Sequence, residues 1–379
     1  MEAVVSAVQT DSYDAHILEQ AVQTHFSRLN VQDVIRPGMR VCLKPNLLGK
    51  HAPEAAVTTH CELVKQVVRR LEAMGVKDIV IADSPGGPYT QGALDGIYRA
   101  TGMQRVEDET SATLNRDTGH VARKSDEAAL CREFSVINPI AEADVVINLP
   151  KLKTHGMVML SAGVKNLLGC VPGLQKPELH FRFQDKADFC RMLLDLSLLV
   201  KPVLTIVDAV DSMEGNGPSG GSILHTGMTF ASRDVYALDL ALCAFTGIPA
   251  DQVWTVRHAM ATGLCPDTPN AIRWAGDAPR PAAFQMPDSR TLDFTSHVPG
   301  PLRKSAGAIM GRLFEARPVI DRGKCIGCGK CEESCAPKAV VIRERKARLD
   351  ASKCIKCYCC HEMCPVQAVR IKRPFFLRK

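Results

Sequence analysis

Apolar runs of strand length alternate with amphipathic helical stretches over roughly the first 285 residues of the chain. The clearest helix starts at a predicted capping box, Thr59 with Glu62, and ends at Gly75. Its apolar positions recur every three to four residues, and the apolar run at residues 79–82 follows it as a predicted buried strand. This alternation predicts an α/β domain with a largely parallel sheet.

Other elements follow the same alternation along the chain. Further strands are predicted at residues 41–43, 145–149 and 204–207, and further helices at 14–29, 187–200 and 232–245. Two segments that combine glycine with polar residues are predicted loops that a ligand approaches closely, namely residues 163–169 and 213–221. After residue 276 the periodicity disappears, apart from a short predicted helix at 305–314. We therefore predict an α/β domain at 1–285, a linker at 286–318 and a second domain at 319–379.

Cysteine is concentrated in the C-terminal segment. Nine of the 16 cysteines lie between residues 325 and 364, and eight of them form two copies of C-x2-C-x2-C-x3-C. Three closely spaced thiolates converge on three corners of an iron–sulfur cube, while the fourth points to the neighbouring cube. The spacing thus predicts two 4Fe-4S clusters with crossed ligands: Cys325, Cys328, Cys331 and Cys364 for one, and Cys354, Cys357, Cys360 and Cys335 for the other.

This repeat resembles the bacterial two-cluster ferredoxin family over about 55 residues. Two alternatives fit less well. Disulfides are typical of oxidising compartments, and no export signal is visible at the N-terminus. Zinc needs four ligands in total and gives no reason for two complete four-cysteine copies. The ninth cysteine of the cluster, Cys359, is predicted to be a bystander thiol. The second domain is therefore expected to be a ferredoxin-like α+β domain.

Composition and charge narrow the class of protein. With 46% hydrophobic and 23% charged residues, the chain has the composition of a soluble globular protein. Residues 319–379 hold 15 Lys and Arg against 6 Asp and Glu, which leaves a net −3 for the remainder. Two bound clusters would compensate about four of these positive charges, so no nucleic-acid partner is predicted. No apolar stretch approaches about 18 residues, so we expect no membrane span and a cytoplasmic location.

Polar residues follow four of the predicted strands. In open parallel sheets, ligands bind beyond the carboxyl ends of the strands, so these residues are expected to share one crevice. Lys151, Lys153 and His155 alternate with period two and would offer three donors on one side of an extended segment. The predicted ligands of an anionic substrate are Lys44, Asn46, Asp83, Lys151, Lys153 and Lys165, and the predicted proton sources are His155 and Asp208. For each residue alone, a solvated surface position or a helix cap is the alternative.

Common catalytic motifs are missing from the first domain. The sequence contains no Walker A loop, no G-x-G-x-x-G, no G-x-S-x-G and no H-E-x-x-H, so nucleotide-binding and hydrolase classes are not favoured. Five runs in this order resemble the domain of unknown function 362 family over roughly residues 1–285: KPNLL, TTH, ADSPGG, NLPKLKTHGMVMLSAGVKNLLG and VDAVDSMEGNGPSGG. The resemblance implies an α/β domain, often fused to a ferredoxin module, with an active site around these runs.

Two functions from different classes follow from these patterns. The first is an iron–sulfur oxidoreductase, in which single electrons pass from a redox partner protein through two clusters to an anionic substrate or cofactor in the first domain. The second is a non-enzymatic electron carrier or assembly partner, whose first domain docks a protein. Nothing in the sequence indicates a flavin.

Overall fold

The structure is a computed structural model of the chain that describes residues 3–289 and 316–373. An α/β part is followed by a smaller C-terminal part. Most of the predicted linker at 286–318, and all of its predicted helix at 305–314, lie outside the described residues. Within the two described ranges, no helix has the length and apolar character that crossing a membrane requires.

Twelve strands are described in the α/β part. In chain order they are β1 (Val4–Gln9), β2 (Arg40–Pro45), β3 (Asp78–Ile81), β4 (Thr113–Leu114), β5 (His120–Lys124), β6 (Glu133–Ile137), β7 (Val145–Leu149), β8 (Lys151–His155), β9 (Met159–Ser161), β10 (Leu204–Glu214), β11 (Ser222–Ser232) and β12 (Arg273–Ala275). The main path of the large sheet has the order β12-β1-β11-β10-β7-β2-β3-β4, and β8 and β9 join it through β10. The remaining two, β5 and β6, form a separate antiparallel pair.

Helices cover the large sheet. They are α1 (Ala15–Arg28), α2 (Cys61–Ala73), α3 (Gln91–Ala100), α4 (Met103–Glu109), α5 (Asn138–Ala141), α6 (Gly163–Asn166), α7 (Gln175–Arg182), α8 (Lys186–Val200), α9 (Val235–Thr246) and α10 (Trp254–Ala261). Short 3₁₀ turns are also described at Val31–Asp33, Pro53–Ala55, Leu167–Cys170, Ala250–Gln252 and Pro269–Ala271.

The centre of the large sheet is parallel, as predicted. β2 pairs in parallel with β3 and β7, and β7 pairs in parallel with β10. Successive residues of β2 enter different hydrophobic cores, because Cys42 packs into one core whereas Val41 and Leu43 pack into the other. A strand buried on both faces needs a continuous apolar run, which is why the sequence pattern identified it. β10 and β11 form an antiparallel hairpin, so Met213 and Glu214 of the predicted loop belong to β10.

The capping box predicted at Thr59 and Glu62 is wrong. The N-cap of α2 is His60, whose Nδ1 accepts a hydrogen bond from the Glu62 amide at 3.2 Å. The Thr59 hydroxyl instead donates to the carbonyl of Leu149 at 2.6 Å and accepts from the amide of Asn46 at 2.8 Å. Thr59 therefore links the carboxyl ends of β2 and β7, and this tertiary contact replaces the local cap.

The loop predicted at 163–169 is also wrong, because this segment is helical. Its first two amides are held by a carboxylate from α9: Asp239 accepts from Gly163 at 2.7 Å and from Val164 at 3.0 Å. Burial raises the pKa of Asp239 to about 7, although the two backbone hydrogen bonds oppose this rise. Asp239 thereby fixes the turn that carries Lys165.

The C-terminal part has the α+β composition expected of a ferredoxin-like domain. Its strands are β13 (Arg317–Ile320), β14 (Val340–Arg343), β15 (Lys346–Leu349) and β16 (Val369–Lys372). β13 pairs with β16, and β14 pairs with β15, both antiparallel. Each cysteine copy contributes one helical turn, at Lys330–Glu333 and Cys359–Glu362. The two copies thus have the same local structure.

Replacing Asp239 with alanine should destabilise the protein, because the buried amides of Gly163 and Val164 lose their acceptor. The expected loss is roughly 3 kcal/mol, or roughly 5 °C in apparent Tm. Differential scanning calorimetry of wild type and Asp239→Ala at one scan rate measures it. Asp251→Ala is the control, since Asp251 is exposed. Equal Tm values for wild type and Asp239→Ala would contradict the assigned role.

Candidate functional site

Four of the predicted cluster ligands surround one small cavity of about 320 Å³ in the C-terminal part. We call these four the outer set: Cys325, Cys328, Cys331 and Cys364. Three come from the first cysteine copy and one from the second, so the structure brings them together in the crossed arrangement. Burial and the neighbouring thiols of Cys364 and Cys328 raise the pKa of Cys331 to about 11. Bound iron reverses this effect, because it stabilises the thiolate.

The other four predicted ligands form the inner set: Cys335, Cys354, Cys357 and Cys360. Cys335 belongs to the first copy, yet it lies beside the thiols of the second. Burial raises the pKa of Cys354, and the thiols of Cys357 and Cys335 raise it further. Burial likewise raises the pKa of Cys360, with Cys335 among the contributing thiols. Cys335 thus has the neighbours that the crossed assignment predicts for it, although Cys331 of the outer set also lies close to Cys360.

Backbone amides donate to three of these sulfurs. Cys335 Sγ accepts from Ala339 at 3.1 Å, and Cys364 Sγ accepts from Ala368 at 3.1 Å. Cys325 Sγ accepts from the Ala347 amide at 3.3 Å. Such bonds stabilise negative charge on sulfur, as an iron–sulfur cluster requires of its ligands. The donor chemistry of both sets fits 4Fe-4S clusters.

The second cysteine copy packs against the α/β part. Tyr358 is 1% exposed and joins the hydrophobic core of that part together with Ile371. The ring of His361 lies between two carbonyl oxygens, 2.6 Å from Val369 and 3.0 Å from Asn216. In the first copy, by contrast, Cys328 is exposed. The second copy therefore makes the contact with the α/β part, whereas Cys328 of the outer set is open to solvent.

A larger cavity of about 720 Å³ lies between the two parts. Six predicted residues line it from the α/β part: Lys44, Asn46, Asp83, Lys153, His155 and Lys165. The C-terminal part closes it with Ser334, Cys359, Glu362 and Met363. Cys359 forms a hydrogen bond with Cys357 of the inner set, and Met363 directly precedes Cys364 of the outer set. We call this space the interdomain cavity, and its wall adjoins the inner set.

Lys44 is neutralised within the wall of the interdomain cavity. Its Nζ lies 2.9 Å from Asp83 Oδ1, and both side chains are buried. The same Nζ donates to Asn166 Oδ1 at 3.0 Å, and Asn46 Nδ2 donates to that oxygen at 3.0 Å as well. Asp83 Oδ2 accepts from the amide of Leu47 at 2.9 Å. These contacts hold the carboxyl ends of β2 and β3 together.

Two further lysines are held by neutral oxygens. Lys153 Nζ donates to Asn46 Oδ1 and to the Val57 carbonyl, each at 2.8 Å. Lys176 Nζ donates to the carbonyl oxygens of Ser84 and Pro85. Burial lowers the pKa of Lys153 to about 7 and that of Lys176 to about 7. Both lysines therefore change charge near neutral pH.

His155 meets an acid from the other part of the chain. Its Nδ1 accepts from the Met157 amide at 3.0 Å, so the neutral ring carries its proton on Nε2. That Nε2 lies 3.0 Å from Glu362 Oε1. Burial lowers the pKa of His155, and Glu362 opposes this effect. Burial would raise the pKa of Glu362, but His155 and Lys165 outweigh it and hold the pKa low.

Two cavity residues have a side-chain nitrogen without a hydrogen-bond partner among the described residues. Lys165 forms no hydrogen bond and no ion pair with any residue in the ranges 3–289 and 316–373. His180 is buried against Phe189, with ring centroids 4.2 Å apart, and its Nδ1 has no hydrogen-bond partner among the described residues. A buried polar atom without a partner costs free energy unless a ligand or water satisfies it. The buried His180 Nδ1 therefore points to a bound polar molecule or water, and the half-buried Lys165 offers its ammonium group to an anion.

Lys151 and Asp208 do not line the interdomain cavity. They form a buried ion pair with Lys151 Nζ 3.1 Å from Asp208 Oδ2. Tyr13 donates its hydroxyl to Asp208 Oδ1 at 2.9 Å and accepts from Lys151 at 2.6 Å. Lys151, Lys153 and His155 do share one side of β8, but only the last two reach the cavity. Lys151 stands opposite Asp208 in the β8–β10 pairing, which explains its partner.

The cavity residues that were not predicted include Lys176, His180 and Glu362. The first two lie on α7, where the sequence showed no motif. Glu362 lies in the second cysteine copy and reaches the cavity only because that copy packs on the α/β part. One feature of the sequence could have indicated that the second cysteine copy has a packing partner. The two copies differ at Tyr358, Cys359, His361 and Met363, and all four contact the α/β part or the cavity.

Comparison with known proteins identifies relatives of both parts of the chain. A family described as 4Fe-4S dicluster domain matches residues 324–368. The thylakoid-associated protein sll1697 of Synechocystis sp. is 32% identical over 264 residues, which cover 69% of this chain and 80% of that protein.

Among solved structures, the lactate racemase apoprotein from Thermoanaerobacterium thermosaccharolyticum is similar with a TM-score of 0.40 and 15% identity. The similarity covers 65% of this chain and 57% of that one. The family described as Domain of unknown function (DUF362) matches residues 41–244, more than half of the chain. The chain therefore belongs to the DUF362 family and carries a 4Fe-4S ferredoxin-type domain at its C-terminus.

Proposed function

We propose that the protein is an iron–sulfur reductase with two 4Fe-4S clusters, one on the outer set and one on the inner set. Electrons from a redox partner protein would reach an anionic small molecule in the interdomain cavity. The proposed division of the chain is an α/β domain at 1–285, a linker at 286–318 and a ferredoxin domain at 319–379. Each cluster, when bound, accepts and releases one electron at a time.

One observation carries this proposal: the wall of the interdomain cavity adjoins the inner set. Cys359 lines the cavity, and a hydrogen bond joins its thiol to that of Cys357 in the inner set. The outer set, in contrast, has an exposed cysteine, Cys328. The order of the two sets from solvent to cavity is therefore the order expected of a path for electrons.

The charges of the cavity favour an anionic ligand. Lys165 has no counter-ion within 4 Å among the described residues, whereas Lys44 is already paired with Asp83. Lys153 and Lys176 gain charge when an anion approaches, because a negative neighbour raises the pKa of each lysine. Asn46 orients Lys153 by accepting its hydrogen bond. These groups would bind a carboxylate or another oxyanion of the substrate.

His155 is the proposed proton source. Its Nε2 proton lies between the ring and Glu362 at the wall of the cavity, and the Met157 amide fixes the ring orientation. A substrate that accepts electrons becomes more basic, so a donor at this position would supply the accompanying proton. Asp208, the other predicted proton source, is paired with Lys151 outside the cavity. We therefore assign the role to His155.

The crossed assignment predicts which cluster a cysteine change removes. Wild-type protein purified without oxygen should hold about eight iron and eight sulfide per chain. Cys335→Ser should lose the cluster of Cys354, Cys357 and Cys360 and keep the outer one. Iron analysis and electron paramagnetic resonance of the reduced protein measure this. Cys359→Ser is the matched control and should keep both clusters, since Cys359 is outside both sets.

Two results would contradict that assignment. In one, Cys335→Ser damages only the cluster of its own sequence copy. In the other, wild-type protein holds zinc without sulfide.

Replacing Lys165 with glutamate should abolish binding of a small molecule in the interdomain cavity. Small molecules released by denaturing anaerobically purified protein are identified by mass spectrometry for wild type, Lys165→Glu and Lys124→Glu. Lys124 is the control because its side chain is 76% exposed, far from the cavity. We expect an anionic molecule in wild type and control that is absent from Lys165→Glu, because the new carboxylate repels it.

Reduction of this molecule by the protein tests the proposed reductase activity. Dithionite-reduced wild type should convert it to a reduced product, whereas Cys335→Ser should leave it unchanged. If wild type also leaves it unchanged, the protein is a carrier or an assembly partner and the reductase proposal is wrong.

Anion retention should weaken as pH rises from 6 to 8. Lys153 and Lys176 each have a pKa of about 7, so both lose positive charge over this interval. The expected decrease in affinity is severalfold, and it should be smaller in Lys176→Met, which has one titrating lysine fewer. Equilibrium dialysis of the identified molecule at fixed ionic strength measures it, with Lys124→Met as the control. Affinity that is constant or rises with pH would contradict the assignment.

A further inference from the structure

The first cysteine copy presents a solvent-exposed surface next to the outer set. Ile326 is 58% exposed, more than any other large apolar side chain among the described residues, and Cys328 two residues on is exposed as well. Gly327 lies so close to the carbonyl of Arg345 that a Cβ there would clash, so the β14–β15 turn borders this surface. We call it the outer face, and it comprises Arg322, Lys324, Ile326, Cys328, Lys330 and Arg345.

The charge of the outer face is predominantly positive. Lys324 and Lys330 form no ion pair with any residue of the described ranges, and both are exposed. Glu344 on the neighbouring turn is engaged by Arg348 and lies 3.9 Å from Arg322. Glu332 and Glu333 lie on the helical turn that follows and reduce this charge only in part. An exposed apolar centre surrounded by basic side chains remains.

The corresponding surface of the second cysteine copy is less exposed at its apolar residue. Ile355, which corresponds to Ile326, is half-buried, and Lys353, which corresponds to Lys324, lies 3.9 Å from Asp350. Tyr358 of that copy is buried in the core of the α/β part. The second copy thus packs on the α/β part through Tyr358, whereas Ile326 of the first copy stays exposed.

We infer that the outer face docks an acidic protein that carries one electron, with Ile326 at the centre of the contact. This inference rests on the proposed function and names the class of its redox partner. The basic ring would attract the acidic protein and orient it, and the apolar contact would exclude water over the shortest path to the outer set. In the step itself, the partner loses one electron and the outer cluster gains it, without bond formation or proton transfer.

The test measures electron transfer from an acidic carrier to the full-length protein with its clusters. Flavodoxin hydroquinone is the probe, and stopped-flow absorbance gives its second-order rate constant at several ionic strengths. The variants are Ile326→Ser and the pair Lys324→Gln with Lys330→Gln. The matched control is Lys353→Gln with Lys124→Gln, which removes two exposed charges elsewhere. Iron content and the extent of reduction by dithionite show that each variant keeps both clusters.

We expect the wild-type rate constant to fall as ionic strength rises, because salt screens the attraction. Ile326→Ser and the lysine pair should each slow the reaction about tenfold at low ionic strength, and the control should react as wild type does. Rates that are independent of ionic strength, or equal in all variants, would overturn the inference. Binding of the wild type to phosphatidylglycerol vesicles that the lysine pair abolishes, without a change in the flavodoxin rate, would overturn it too and indicate a membrane surface instead.

The two proposals fail in different ways. If dithionite-reduced protein leaves the cavity molecule unchanged, the reductase proposal is wrong, whereas the flavodoxin rates still decide the role of the outer face.

Discussion

The contact of the second cysteine copy with the α/β part is the interaction on which the remaining arrangement depends. Tyr358 adopts a left-handed backbone, with φ of 62°, at the position where the first copy has Gly329. That conformation costs a non-glycine residue about 1–2 kcal/mol, which burial of an aromatic ring offsets. On the other side of the contact, a Cβ on Gly156 would lie 2.6 Å from the end of the Ile371 side chain, so that side chain would have to move. A repeat with internal symmetry thereby acquires one covered and one exposed end.

The same contact determines the electrostatics of the interdomain cavity. Desolvation makes a buried ammonium group costly unless a carboxylate compensates it, and the cavity supplies few carboxylates. Asp83 compensates Lys44, and Glu362 faces His155 across the two parts. Lys153 and Lys176 receive only neutral oxygens, which is why burial lowers the pKa of each to about 7. A bound anion would supply the negative charge that no side chain of the protein provides for these two lysines.

Local patterns in the sequence predicted the parts of the fold that local interactions determine. The apolar runs of β2, β3 and β7 identified the parallel core because both faces of these strands are buried. The start of α2 was misplaced because the Thr59 hydroxyl bonds to Leu149, ninety residues away in the chain. Six of the predicted cavity residues are brought together by the carboxyl ends of the sheet and by α6. Lys151 has the same alternation as Lys153, and only the tertiary pairing with Asp208 separates them.

Glu362 shows where local patterns become insufficient. Its counterpart in the first cysteine copy is Glu333, an exposed acid, so the motif gives Glu362 no special role. It gains one because Tyr358 and His361, three residues apart, attach that helical turn to the α/β part. Residues at which two copies of one motif differ are thus informative in a different way from the motif itself. The shared cysteines indicate cluster chemistry, whereas the differences indicate which copy has a neighbour, and that neighbour completes the cavity.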